Sequence, residues 1–110
     1  MNLRLQPKDI YVNKNKEFVL ILKNDVTINS VFPITGVNFK TGKTISFKAN
    51  GSWTYQDRSD NKEDLYNFVC VSDDSLKIGI SKQAIEEKLS NFARNEKTSE
   101  EYYRAVRNNK

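Results

Sequence analysis

Apolar positions in the first seventy residues come in short runs or strict alternation, separated by polar and Gly-containing turns. Residues 9–12 read as a brief first strand and 13–16 as a polar turn. Phe18, Val19, Leu20, Ile21 and Leu22 form an unbroken, partly β-branched run, as expected of a central strand. Residues 31–39 predict another strand, with Pro33 at its start or at a bulge and Gly36 at a close backbone approach. Thr41 and Gly42 mark a tight turn. Residues 44–48 alternate, placing Ile45 and Phe47 on one face. Asn50-Gly51 is the strongest hairpin signal, because both residues accept the positive φ of a type I′ turn. Trp53 and Tyr55 then share one face of a returning strand, residues 56–64 form a charged loop, and residues 65–71 close the sheet.

After residue 80 the apolar period changes from two toward 3.6. Ser81 suits the cap of a helix running to about Asn95, on which Ile85, Leu89 and Phe92 (i, i+4, i+7) make one apolar stripe. Residues 95–97 interrupt that stripe. Thr98 and Glu101 have capping-box spacing, predicting a second short helix with Tyr102, Tyr103 and Val106 on one side. A helix that short is marginal alone and needs a surface to dock on. The sheet has few apolar residues to spare for two helices, so a second copy of the chain is the expected surface. The sequence therefore predicts an α+β protein: a small antiparallel β-core of about six strands over residues 1–72, then two short C-terminal helices over 80–110 as a dimerisation element.

Composition narrows the chemistry. The chain has 110 residues, 37% hydrophobic, 29% charged and 11% aromatic, so its core is thin for its length. It has no His, which excludes Ser-His-Asp and Cys-His catalysis and any imidazole-bound zinc. A single Cys, Cys70, excludes an intrachain disulfide; among Phe68, Val69 and Val71 it reads as a small apolar group. No apolar run reaches the ~18 residues of a membrane span, and the N-terminus lacks a signal-peptide stretch. A cytoplasmic, non-enzymatic protein is expected, with no cofactor. The loop at 57–64 gathers four carboxylates but has neither the alternating spacing nor the Gly of a calcium loop, so no metal is expected.

Eighteen Lys and Arg against fourteen Asp and Glu give a net charge of +4, with both signs mixed along the chain. A nucleic-acid partner, which calls for a concentrated basic face, is not indicated. Of the five Arg, three (Arg94, Arg104 and Arg107) fall in the last seventeen residues. Guanidinium forks grip phosphate at two points, as lysine cannot. Flat rings at Trp53 and Phe68 can stack on a base. With Asn91 as an amide for ribose or base, these six residues form the candidate ligand site, suited to a nucleotide. Equally, Trp53 and Phe68 suit a plain core and the arginines a solvated helix face.

Phe32-Pro-Ile-Thr-Gly36, then Asn50-Gly-Ser-Trp-Thr-Tyr55, then Asp64-Leu65, resembles a pattern in small phage and prophage proteins. Some of these are anti-Thoeris sponges, which sequester a cyclic ADP-ribose signal. The order of elements, a β-rich core followed by two short kinked helices, is also similar. The resemblance implies helices that interlock across a dimer and a ligand held where core and helices meet. On this reading the partners are a cyclic nucleotide and a second copy in a homodimer or higher homo-oligomer, located in the host bacterial cytoplasm. The alternative is a protein-interaction module that inhibits a host defence complex by direct docking.

Overall fold

A computed structural model describes residues 5–25, 31–53 and 62–108, the last twelve of these as backbone. Five strands, β1 (Asp9–Asn13), β2 (Phe18–Asn24), β3 (Ile34–Asn38), β4 (Thr44–Phe47) and β5 (Leu65–Val71), form one antiparallel sheet in the order β4-β3-β2-β1-β5. The first four are a meander, and β5 crosses back to pair with β1. A 3-10 helix (Ser72–Ile78) and one α-helix, α1 (Lys82–Asn108), follow. The class is α+β with an antiparallel core, as the alternation implied.

Turn chemistry explains the meander. Asn13 Oδ1 accepts the N–H groups of Asn15 and Glu17 at 2.9 and 2.8 Å, and Lys16 takes a left-handed φ of 63°. Asn38 Oδ1 likewise accepts from Lys40 and Thr41, with Gly42 left-handed at φ 74°. An Asn closing a strand therefore opens both turns by holding backbone N–H groups. At Asn50-Gly51 only Gly51 is left-handed (φ 89°), and its N–H reaches the Lys48 carbonyl at 2.9 Å. The turn is thus not type I′, because Asn50 does not share the positive φ. Beyond it Ser52 carries one further hairpin bond, to Lys48 N–H at 2.7 Å. Trp53 belongs to no strand, and Tyr55 of the expected returning strand lies outside the described residues.

The sheet is apolar on both faces, and each face is covered differently. On one, Tyr11, Val19, Ile21, Ile34, Phe47 and Leu65 pack with Leu5 into a core the sheet makes largely by curling on itself. The curl brings the segment after β4 to the start of β5, where Leu65 N–H donates to the Gly51 carbonyl at 3.0 Å. On the other, Ile10, Leu20, Leu22 and Val37 pack against Ile85 of α1, with Leu89 and Phe92 beside it. Gly36 permits the close approach expected of it. A Cβ there would lie 2.9 Å from Val19 Cγ1 and 3.2 Å from both the Leu20 carbonyl oxygen and the Phe47 ring.

Asp73 and Asp74 stand in the first turn of the 3-10 helix, where their charges suit the N-terminal dipole. This helix ends in a Schellman motif. Gly79, at φ 79°, donates to the Leu76 carbonyl and Ile80 to the Ser75 carbonyl, both at 3.1 Å. Ser81 then caps α1, its Oγ accepting from Ala84 N–H at 3.1 Å. Contrary to the expected break, α1 runs unbroken through residues 95–97. Those residues are polar but carry no Pro or Gly, so nothing there interrupts the i to i−4 hydrogen bonding. The helical segment is therefore one helix about 40 Å long preceded by a 3-10 turn.

Candidate functional site

α1 begins beside Lys8 and Ser72 and reaches Lys23 at Glu96, whose carboxylate meets the ammonium at 2.7 Å. Both contacts belong to the end of the sheet where β1 starts and β2 finishes. The helix therefore crosses that end, on the face of Ile10 and Leu20. Asn91 and Arg94 sit on it and are exposed.

Phe68 lies on the opposite face. It pairs with Tyr11 across β1 and β5, the two rings meeting edge to face at 5.6 Å and 70°. Tyr11 is fully buried and its hydroxyl accepts the Leu5 N–H at 2.8 Å, so the ring supporting Phe68 is fixed. Phe68 itself is 39% exposed and is anchored along one edge by that ring contact. Trp53, also 39% exposed, is positioned through its backbone, its N–H donating to Asp64 Oδ1 at 3.0 Å. With Phe32, Thr44, Ile45 and Ser46 it lines a shallow apolar groove along β4.

One chain thus places the half-exposed rings of Phe68 and Trp53 away from Asn91 and Arg94, across the thickness of the sheet from Phe68. It does not gather them into one pocket. Arg104 and Arg107 occupy positions along α1, and their side chains lie outside those described. The groove that α1 itself borders, between Lys8, Ser72, Asp73, Lys82, Ile85, Glu86 and Leu89, is about 130 Å³, below the ~300 Å³ at which ligand pockets begin.

Cys70 is half-buried, and burial, with Asp74 adding to it, pushes its thiol above the ordinary range. The reactive thiolate is thereby suppressed. Among the described residues no three His, Cys, Asp or Glu side chains come together as a metal site, and no helix is long and apolar enough to cross a membrane.

One polar cluster was not singled out from the sequence. Glu17, buried at the β1–β2 turn, accepts from Asn13 Nδ2 and Asn38 Nδ2 at 3.2 and 3.3 Å through one carboxylate oxygen. Hydrogen bonds from Asn15 and Asn13 hold its carboxyl below the ordinary carboxylate value. Its signal was an Asn at the end of each of two strands, but the acid that joins them is visible only once the strands are paired. The cluster ties two turns together and is closed to solvent, so it supports the site's scaffold rather than a ligand. Comparison with known protein families, curated proteins and solved structures finds no match.

Proposed function

We propose that this chain is a non-catalytic binding protein that captures a cyclic nucleotide signal of the cyclic ADP-ribose type, and so inhibits bacterial antiphage defence, at a site completed by two copies of the chain. The observation that carries this reading is the continuity of α1 past Glu96, its last described side-chain anchor to the sheet. Twelve further residues follow, about 18 Å of helix. Because the helix is unbroken, Tyr103 and Arg107 fall about five full turns after Ile85 and Leu89. The chain positions that dock α1 on its own sheet are thus repeated beyond it, where a Tyr and an Arg stand at positions a second copy could meet. Phe68, and Trp53 beside the β4 groove, supply the ring platform, Asn91 an amide, and Arg94, Arg104 and Arg107 the phosphate contacts. A sequestering protein needs affinity and copy number and no reaction, which fits a chain without His.

The test is to incubate the purified protein with extract from cells whose defence is activated, denature it, and identify what is released by mass spectrometry, with Phe68→Ser run in parallel. Near-stoichiometric release of a nucleotide from the parent, strongly reduced for Phe68→Ser, is the expected result. No nucleotide from a folded parent overturns the reading.

A second reading, direct docking on a host defence complex, draws on a different observation. Val31 (53% exposed) precedes the groove of Phe32, Ile45 and Trp53, giving an apolar strip with an aromatic anchor of the kind that dominates protein interfaces. Loss of defence inhibition by Trp53→Ser, with nucleotide release unchanged, would favour it.

A further inference from the structure

We infer that the groove between the β1–β2 turn and the start of β5 is a binding site for a small aromatic phosphate, separate from the site proposed above. Val12, Asn13, Lys14, Lys16, Tyr66 and Asn67 line a largely apolar concavity of about 360 Å³, within the range of small-ligand sites. Its position follows from the packing. α1 crosses the other end of this sheet face, so the end at Val12 and Asn67, which pair across β1 and β5, has no helical cover among the described residues. The pairing shifts register between Val12 and Asn13 and skips Tyr66. Such a bulge re-aims a side chain, and Tyr66 is 57% exposed although it sits within a strand.

Charge defines the occupant. Two lysines stand at the groove and no carboxylate lines it. Lys14 is offset by Asp64, 3.5 Å away beneath it. Lys16 is exposed and its ammonium has no partner among the described residues; its left-handed φ of 63° is fixed by the turn, whose Lys16 N–H donates to the Asn13 carbonyl at 3.0 Å. An exposed tyrosine and a lysine ammonium with no partner among the described residues line the same groove as Asn67, a set that matches a flat ring carrying an anionic group. The ring stacks on Tyr66 and the phosphate meets Lys16. None of these residues belongs to the Phe68 site, so failure of either proposal leaves the other standing.

Phenyl phosphate is the probe, titrated into the ¹⁵N-labelled protein and followed by two-dimensional NMR, with inorganic phosphate and phenol as separate controls. Saturable shifts concentrated at the amides of Val12, Lys14, Lys16, Tyr66 and Asn67, at least tenfold tighter for phenyl phosphate than for either control, are expected. Lys16→Asn, which keeps a residue tolerant of positive φ, and Tyr66→Ser, at an exposed position, should each weaken binding at least fivefold without moving the thermal midpoint. Shifts elsewhere, no saturation, equal binding of inorganic phosphate, or unchanged affinity in both variants would overturn the assignment.

Discussion

The Lys23 ammonium lies 2.7 Å from the Glu96 carboxylate and joins the end of β2 to the middle of α1. Asp25 meets the same ammonium at 2.9 Å. The Glu96 hydrogen bond, then that of Asp25, raises the Lys23 pKa above its ordinary 10.5. A raised value in the folded state means that the stabilisation is fully present below the ordinary lysine value and is lost as pH climbs through the raised one. Both side chains are more than a third exposed, so solvent screens the pair. Glu96→Gln should cost about 0.5 kcal/mol at pH 8, and the gap to the parent should narrow as pH climbs through the raised lysine value. Urea unfolding across that pH series measures both.

Glu17 acts in the opposite direction. Its carboxyl is held below the ordinary 4.5 by hydrogen bonds from Asn15 and Asn13. Its contribution is therefore present above that value and is lost as pH falls through the lowered one. Glu17→Gln should lower the thermal midpoint at pH 7, and the two midpoints should converge as pH drops through the lowered carboxyl value. Midpoint curves that stay parallel over this range would show that the carboxylate charge does not matter to the two turns.

Gly36→Ala places a methyl 2.9 Å from Val19 Cγ1 in the curled-face core. Overpacking of this kind costs about 1–3 kcal/mol, readable by denaturant unfolding. Val19→Ala removes the opposing methyl groups. The double variant should be less destabilised than the two single losses added together, because the sites share one volume. Simple additivity would mean that the Leu20 carbonyl or the Phe47 ring, both at 3.2 Å, sets the cost instead.

Ser81→Ala removes the side-chain acceptor for Ala84 N–H at the start of α1. A lost cap costs about 1 kcal/mol. Amide exchange in the first turn of α1 should accelerate, while that of β1 and β2, held by the sheet, should follow only the change in global stability.

Much of this architecture was legible in the chain. The Phe18–Leu22 run is the centre of the sheet, and Gly36, Ser81 and the Ile85, Leu89, Phe92 stripe do what their residue types imply. Two features were not. The polar stretch at 95–97 interrupts the apolar period and so reads as a helix end, whereas the backbone hydrogen bonding continues through it, with no Pro or Gly there to weaken it. The separation of Phe68 from Asn91 and Arg94 was also hidden. It depends on the β1–β5 register, in which Tyr11 meets Phe68 and Ile10 meets Cys70, skipping Val69. A slip of one residue there would turn Phe68 toward the helix, and no local pattern announces a bulge.

The two cores also differ in when they can be assembled. Every described member of the Tyr11 cluster lies between Leu5 and Leu65, whereas the Ile10 cluster draws on Ile85, Leu89 and Phe92. A nascent chain emerging from the ribosome therefore holds one complete core before the partner helix of the other has been synthesised. Until then Ile10, Leu20 and Val37 remain bare, and a finished neighbouring molecule that offers its own helix competes for that surface with the segment still to come.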